Sequence, residues 1–309
     1  MSFEQQSSTR VTTVHVTRPR RRAAVVLGTA AMVLGTTVPM SVAVNVMSEP
    51  EHAASTVAPV ASPTEVAELS QLLRQPSVPQ LDELADVLLP APTDGQRAGV
   101  QKVTTDGWHL GIPEVTVQQI TSWLLADTSC RVSTRSRADL PAPIDPRTIG
   151  TFDFLSLPAK HDTCAPGELT LVAGVQLPTG EGELFSRLAA ADGGDSILSA
   201  SLFGYIAQIN RWQIPDRAQR AAILRLLARI PGVTVTTGKD RTGRSGLHIA
   251  LDTAGDRYIL TVEPTTGELL AFENTAISAP AGPDVHLPTI RSYTLFVSRS
   301  WDDSLPHLP

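Results

Sequence analysis

The run Gly238-Lys-Asp-Arg-Thr-Gly243-Arg244-Ser245 comes within one residue of the phosphate-cradling loop G-x-x-x-x-G-K-[ST]. That loop works when a parallel strand wraps backbone N–H groups round a phosphate, a lysine reaches the terminal phosphates, and a helix N-terminus follows. Here Arg244 takes the lysine position, and Ser245 leads into Gly246 and the alternating apolar residues Leu247, Ile249 and Leu251. That alternation predicts a strand where the motif needs a helix. The same residues fit a β-hairpin. Gly238, Gly243 and Gly246 can supply positive φ in a turn or bulge. Asp240 can accept hydrogen bonds from loop N–H groups, and Arg244 can pair with Asp240 or with Glu263.

The other reactive residues are few. Cys130 and Cys164 are the two cysteines of the chain. In an oxidising compartment an even number reads first as a disulfide, with two buried free thiols as the alternative. His161 and Cys164 in "HDTC" do not make a zinc site, because no second Cys-x-x-Cys or His-x-x-x-His arm completes a tetrahedral set. As a nucleophile and base they lack an orienting third group. No G-x-S-x-G, H-E-x-x-H or paired-carboxylate motif stands in a recognisable context. Asp302 and Asp303 are adjacent, so a strand would point them to opposite faces. The expectation is a non-enzymatic protein with no catalytic, cofactor-binding or metal residues.

Charge is unevenly spread. In residues 1–22, Arg10, Arg18, Arg20, Arg21 and Arg22 face only Glu4, a balance of +4, within a chain of net charge −6. Ala23–Val46 carries no charge, so the remainder holds −10. An acidic body excludes a nucleic-acid partner, which needs a basic face for phosphate. Ala23–Val46 is long enough to cross a hydrocarbon core of roughly 30 Å as a helix. The flanking arginines place residues 1–22 in the cytoplasm and the body outside. A cleaved signal peptide ending near Ala43 is the alternative, but the apolar run exceeds the usual h-region.

These features lay out the chain as a basic tail at 1–22, an anchor at 23–46, a proline-bearing stalk at 47–64 and an α+β domain at 65–309. Helices are expected near Thr64–Gln75 and Gln80–Pro90. Strand texture follows: two short runs about a turn at Asp106-Gly107, then two strands about Ala126–Ser129. Pro141–Pro146 reads as a loop, Arg147–Pro158 as a short strand, and Pro158–Leu169 as a loop carrying Cys164. A helix capped by Asp195 follows, with Leu198, Leu202, Tyr205 and Ile209 on one stripe. The strongest helical pattern is "IPDRAQRAAILRLLARIPG", with Pro215 at its entrance and Asp216 in its first turn. Its Arg217, Arg220, Arg225 and Arg229 are expected on a solvated face. Four strands with tight turns then form an antiparallel meander, and "SYTLFVSRSW" is a last strand. Trp108, Trp123, Trp212 and Trp301 read as core residues, with a binding face as the alternative.

Ile230-Pro-Gly-Val233, the set Asp240, Gly243, Arg244 and Gly246, and the run Pro264 to Leu270 together make a signature. It resembles the C-terminal signature of a family of uncharacterised actinobacterial membrane-anchored proteins, with Glu263 where that family has Asp. "ITSWLLADTSCR" and "LPTGEGELFSRL" match more loosely. Members of that family often accompany extracytoplasmic-function sigma factors. The resemblance therefore implies a membrane-linked binding or sensory role, tied to sigma-factor or envelope-stress regulation through a membrane or regulatory protein partner. The helix-then-meander order is similar to the half-barrel of lipoprotein carriers, so a carrier of a lipid or other apolar ligand is the alternative. A hydrolase is the second alternative.

Overall fold

The computed structural model describes residues 78–89, 99–110, 114–141, 152–192, 199–278 and 287–307. The tail, anchor, stalk and the helix expected at Thr64–Gln75 lie outside these residues, as do Leu198 and the cap expected at Asp195. The described chain is a mixed α/β structure with one large antiparallel sheet. In chain order it runs α1 (Pro79–Leu88), β1 (Val100–Leu110), β2 (Glu114–Leu124), β3 (Cys130–Pro141), β4 (Ala159–Cys164), α2 (Glu181–Ala191), α3 (Ser199–Trp212), α4 (Arg217–Ala228), β5 (Thr234–Lys239), β6 (Ser245–Asp252), β7 (Asp256–Val262), β8 (Leu269–Ala276) and β9 (Thr289–Asp302).

Two meanders join in the middle. The nine strands lie in the order β4-β3-β2-β1-β9-β8-β7-β6-β5. The last strand therefore closes against the first, with Trp108 opposite Tyr293 and Thr105 opposite Phe296. One face carries the helices. Val103, Ile249, Leu260, Val262 and Phe296 from that face share a core with Leu184, Phe203, Ile206, Leu224 and Leu227 from the helices. A second, smaller core on the other face joins Trp108, Val117, Tyr293 and Leu295 to Phe154.

α4 forms because its entry is capped on both sides. Asp216 Oδ1 accepts from Gln219 N at 2.9 Å, and Gln219 Oε1 accepts from Asp216 N at 2.8 Å. Asp216 is thus the cap and not a first-turn residue. Its arginines are not all solvated as expected. Arg225 and Arg229 pair with Asp86 and Asp82 of α1, while Arg220 is buried.

Three local expectations are overturned. Asp106-Gly107 does not turn the chain, because β1 is continuous from Val100 to Leu110. Pairing on both sides overrides the local turn preference, and Gly107 leaves room for the Gln118 side chain. In the expected strand Arg147–Pro158, Phe154–Ser156 is instead a 3-10 turn, with Asp153 accepting from Leu155 N at 3.1 Å. The loop expected at Pro158–Leu169 contains β4, which pairs with β3 at the sheet edge.

The β5–β6 hairpin is as expected, but its glycines serve different ends. Gly243 has φ +88°, a conformation that favours glycine. Gly246 is needed for space: a Cβ there would lie 2.8 Å from Val262 O and 2.7 Å from Thr261 Cγ2. Gly246→Ala is expected to destabilise the domain by about 1–2 kcal/mol through this overpacking. A urea titration reads it as a lower midpoint at unchanged slope.

Candidate functional site

Asp240, Gly243 and Arg244 form the turn between β5 and β6, and Arg244 links that turn to the start of β8. Asp240 Oδ1 accepts from Thr242 N at 2.9 Å and Arg244 N at 3.0 Å, and Asp240 Oδ2 accepts from Arg244 Nε at 2.6 Å. Glu263 is not the partner of Arg244. It accepts from Thr265 N at 2.8 Å and from Thr266 N, closing the next turn. Burial alone would raise the Asp240 pKa. The hydrogen bonds of Thr242 and Arg244, and the Arg244 charge, outweigh it and hold the carboxyl below its usual range.

Arg244 then reaches across the sheet. Its Nη1 donates to Phe296 O at 2.8 Å and its Nη2 to Leu270 O at 2.9 Å. Both acceptors sit at β-bulges. Leu270 is the extra residue of β8, opposite the Thr261–Val262 step of β7, and Phe296 flanks the bulge opposite Thr104 and Thr105. A bulge takes local backbone groups out of the ladder, and the guanidinium fork replaces those partners.

Two further arginines complete this clamp: Arg220, which the helical pattern had placed on a solvated face but which is buried, and Arg299, which no sequence pattern marked. Arg220 Nε donates to Thr266 O at 2.7 Å and its Nη1 to Pro215 O at 2.6 Å. Arg299 Nη2 donates to Leu269 O at 2.6 Å, with its guanidinium 4.8 Å from the Phe296 ring centroid. Burial pushes the Arg299 pKa down to about 10; Glu268 opposes this, and Arg244 and Arg220 reinforce it. The clamp spends its cations on the protein's own backbone. The nearby cavity, lined by Arg220, Ile206, Leu224, Leu260 and Gly267, is about 10 Å³, room for a single water.

Cys130 and Cys164 stand directly opposite each other in the β3–β4 ladder and are bonded, with Cα atoms 4.9 Å apart. The bridge joins strand to strand, where a strand-to-loop bond was expected. Among the described residues no group of three or more His, Cys, Asp and Glu is placed to hold a metal ion.

The second face of the sheet is chemically different. Residues directly opposite in an antiparallel pair share a face. Register therefore sets Gln119 beside Arg135, Thr121 beside Ser133 and His161, and Trp123 beside Arg131. On β1 the same face carries Lys102, Thr104 and Asp106. Trp123 and Trp108 are buried on this face, whereas Trp212 and Trp301 are half-buried. Trp123 Nε1 donates to Asp302 Oδ2 at 3.3 Å, and Asp302 pairs with Lys102 at 3.8 Å. Gln119 Nε2 donates to Asp106 Oδ1 at 3.0 Å. Burial raises the Asp106 pKa against that hydrogen bond. Arg131 Nη1 donates to Pro306 O. Arg135 Nε and His161 Nδ1 are buried without a hydrogen-bond partner. The sequence signal for this face was the even spacing of Arg131, Ser133, Arg135 and Arg137 on an expected strand. It lacked meaning until β4 supplied His161.

No protein-family model, curated protein or solved structure matches this chain. Among the described residues no helix is long and apolar enough to cross a membrane, and Ala23–Val46 lies outside them.

Proposed function

We propose that this chain is a membrane-anchored protein whose body, from residue 65 onward, is an extracytoplasmic binding and sensing domain. Residues 1–22 form the cytoplasmic tail, 23–46 the transmembrane anchor and 47–64 the stalk. The observation that carries this reading is the Cys130–Cys164 disulfide. Such bonds persist in oxidising compartments, and the arginine-flanked apolar stretch supplies the route to one. The binding role is supported by the asymmetry of the sheet: helices cover one face, while the other displays arginines, a histidine and hydroxyls on β2–β4.

The resemblance to the actinobacterial family supports a regulatory readout. In this reading the signal passes to a membrane or regulatory protein partner. The carrier reading has less support. A cavity of about 10 Å³ on the helix side is far below the roughly 300–1,000 Å³ of ligand pockets.

Topology is tested on the full chain expressed in a bacterial host. External protease on intact spheroplasts should digest the domain while a cytoplasmic marker survives. The N-terminal fragment should resist carbonate extraction from the membrane. A domain protected until lysis, or one released into the medium, sinks the anchored extracytoplasmic reading.

A further inference from the structure

We propose that the second face of the sheet, on β2–β4, is an oxyanion-binding site for a phosphate group, gripped by Arg135 with Ser133 and His161. The inference rests on reading this face as a binding surface, and not on export.

Register builds the site. Ser133 lies between Arg131 and Arg135 on one face of β3, and His161 faces Ser133 from β4. The two arginines are four residues apart, about 13 Å along an antiparallel strand. The short Ser133 side chain leaves a low point between two long cationic ones. Gln119 flanks Arg135 from β2. Ser133 is buried, so its hydroxyl belongs to the floor of this patch and not to its rim.

Donor accounting separates Arg135 from the arginines that hold the fold together. Arg225, Arg241, Arg257 and Arg291 each face a carboxylate. Arg220, Arg244 and Arg299 bond backbone carbonyls, and Arg131 bonds Pro306 O. Arg135 Nε has no such partner although it is buried, and neither has His161 Nδ1. Arg211, Arg229 and Arg291 also leave Nε without a hydrogen bond, but each guanidinium has Thr294, Asp82 or Asp256 beside it. Buried polar groups are paired in roughly nine cases out of ten. Arg135 and His161 lie on neighbouring strands of one face, at diagonal positions within reach of a common ligand. Asp106, the carboxylate on β1 nearest in register, is held by Gln119, which stands between it and Arg135 across the strands. It is therefore not the direct counter-ion of Arg135.

A guanidinium fork matches phosphate oxygens bidentately. A serine hydroxyl and an imidazole Nδ1–H add donors for the remaining oxygens. The group can come from free phosphate or from the headgroup of a lipid in the membrane that the anchor would hold nearby.

The test titrates the purified full chain in detergent with inorganic phosphate at constant ionic strength, following the arginine side-chain 15Nε signals. A saturable response is expected. Arg135→Gln should weaken it about tenfold or more, while Arg225→Gln on the helical layer leaves it unchanged. Thermal melts check that each variant folds. If Arg135→Gln does not, Arg135→Lys and His161→Gln give the same comparison, each with a several-fold loss. Co-sedimentation with phosphatidylglycerol vesicles against phosphatidylcholine vesicles assigns the source. Tighter binding to the anionic headgroup than to free phosphate points to lipid, and the reverse to a soluble phosphate. A response that does not saturate, or one equally strong in folded Arg135→Gln, overturns the site. Spheroplast proteolysis and phosphate titration are separate readouts, so export and anion binding can fail independently.

Discussion

Arg244→Met is expected to cost the domain about 2–4 kcal/mol. The substitution removes three bonds, to Asp240 Oδ2 at 2.6 Å, Phe296 O at 2.8 Å and Leu270 O at 2.9 Å. It also strands the Asp240 carboxylate, whose side chain is 0 % exposed. Breaking a buried ion pair costs about 3–5 kcal/mol. Arg244 itself is 36 % exposed, and solvent screening reduces its share. The double variant Asp240→Asn/Arg244→Met should lose less than the two single losses together, because it leaves no stranded charge. Strict additivity in denaturant titrations would show that the pair is not coupled.

The same pair sets an acid limit. The Asp240 pKa in the fold is depressed, so its stabilisation is fully present above the unfolded carboxylate value of about 3.9 and is lost as pH falls through the folded value. The stability gap between the native chain and Asp240→Asn should therefore shrink below about pH 4. Asp252, lowered first by its Arg257 hydrogen bond, shifts in the same direction. In Glu263 burial opposes the shift, and the Thr265 and Thr266 hydrogen bonds outweigh it to lower the pKa. A gap that widens on acidification would contradict the assignment.

Reduction of Cys130–Cys164, or replacement of both by alanine, is expected to cost about 3–4 kcal/mol in the chain-entropy model, for a bridge spanning 34 residues. For a domain of this size that is on the order of 10 °C in Tm. The loss should also be local. β4 is the outermost strand and has β3 as its sheet neighbour, so amides of residues 159–164 should exchange faster under reductant than those of β6–β8. Equal protection with and without reductant would mean that the bridge does not hold β4 in place.

Legibility followed the range of the forces involved. Leu247, Ile249 and Leu251 alternate because one face of β6 packs on the helices, and that period is visible locally. Ala159–Cys164 shows no such period. Its residues are half-buried or exposed without strict alternation, as in an edge strand with little to cover it. Arg220 sits in a helical pattern as any surface arginine would. Its burial comes from Thr266 O, 46 residues away, and Pro215 O.

By itself, the sequence determined the local pieces: the strongest helix, the hairpin about Asp240 and Gly243, the meander after it, and a pair of cysteines suited to bridging. Tertiary structure alone decided that β9 closes against β1, that Arg244 caps two bulges, and that Arg135 and His161 share a face. The physical reason is that period and turn chemistry act over a few residues. Strand neighbours and donor partners are chosen by contacts across the whole chain.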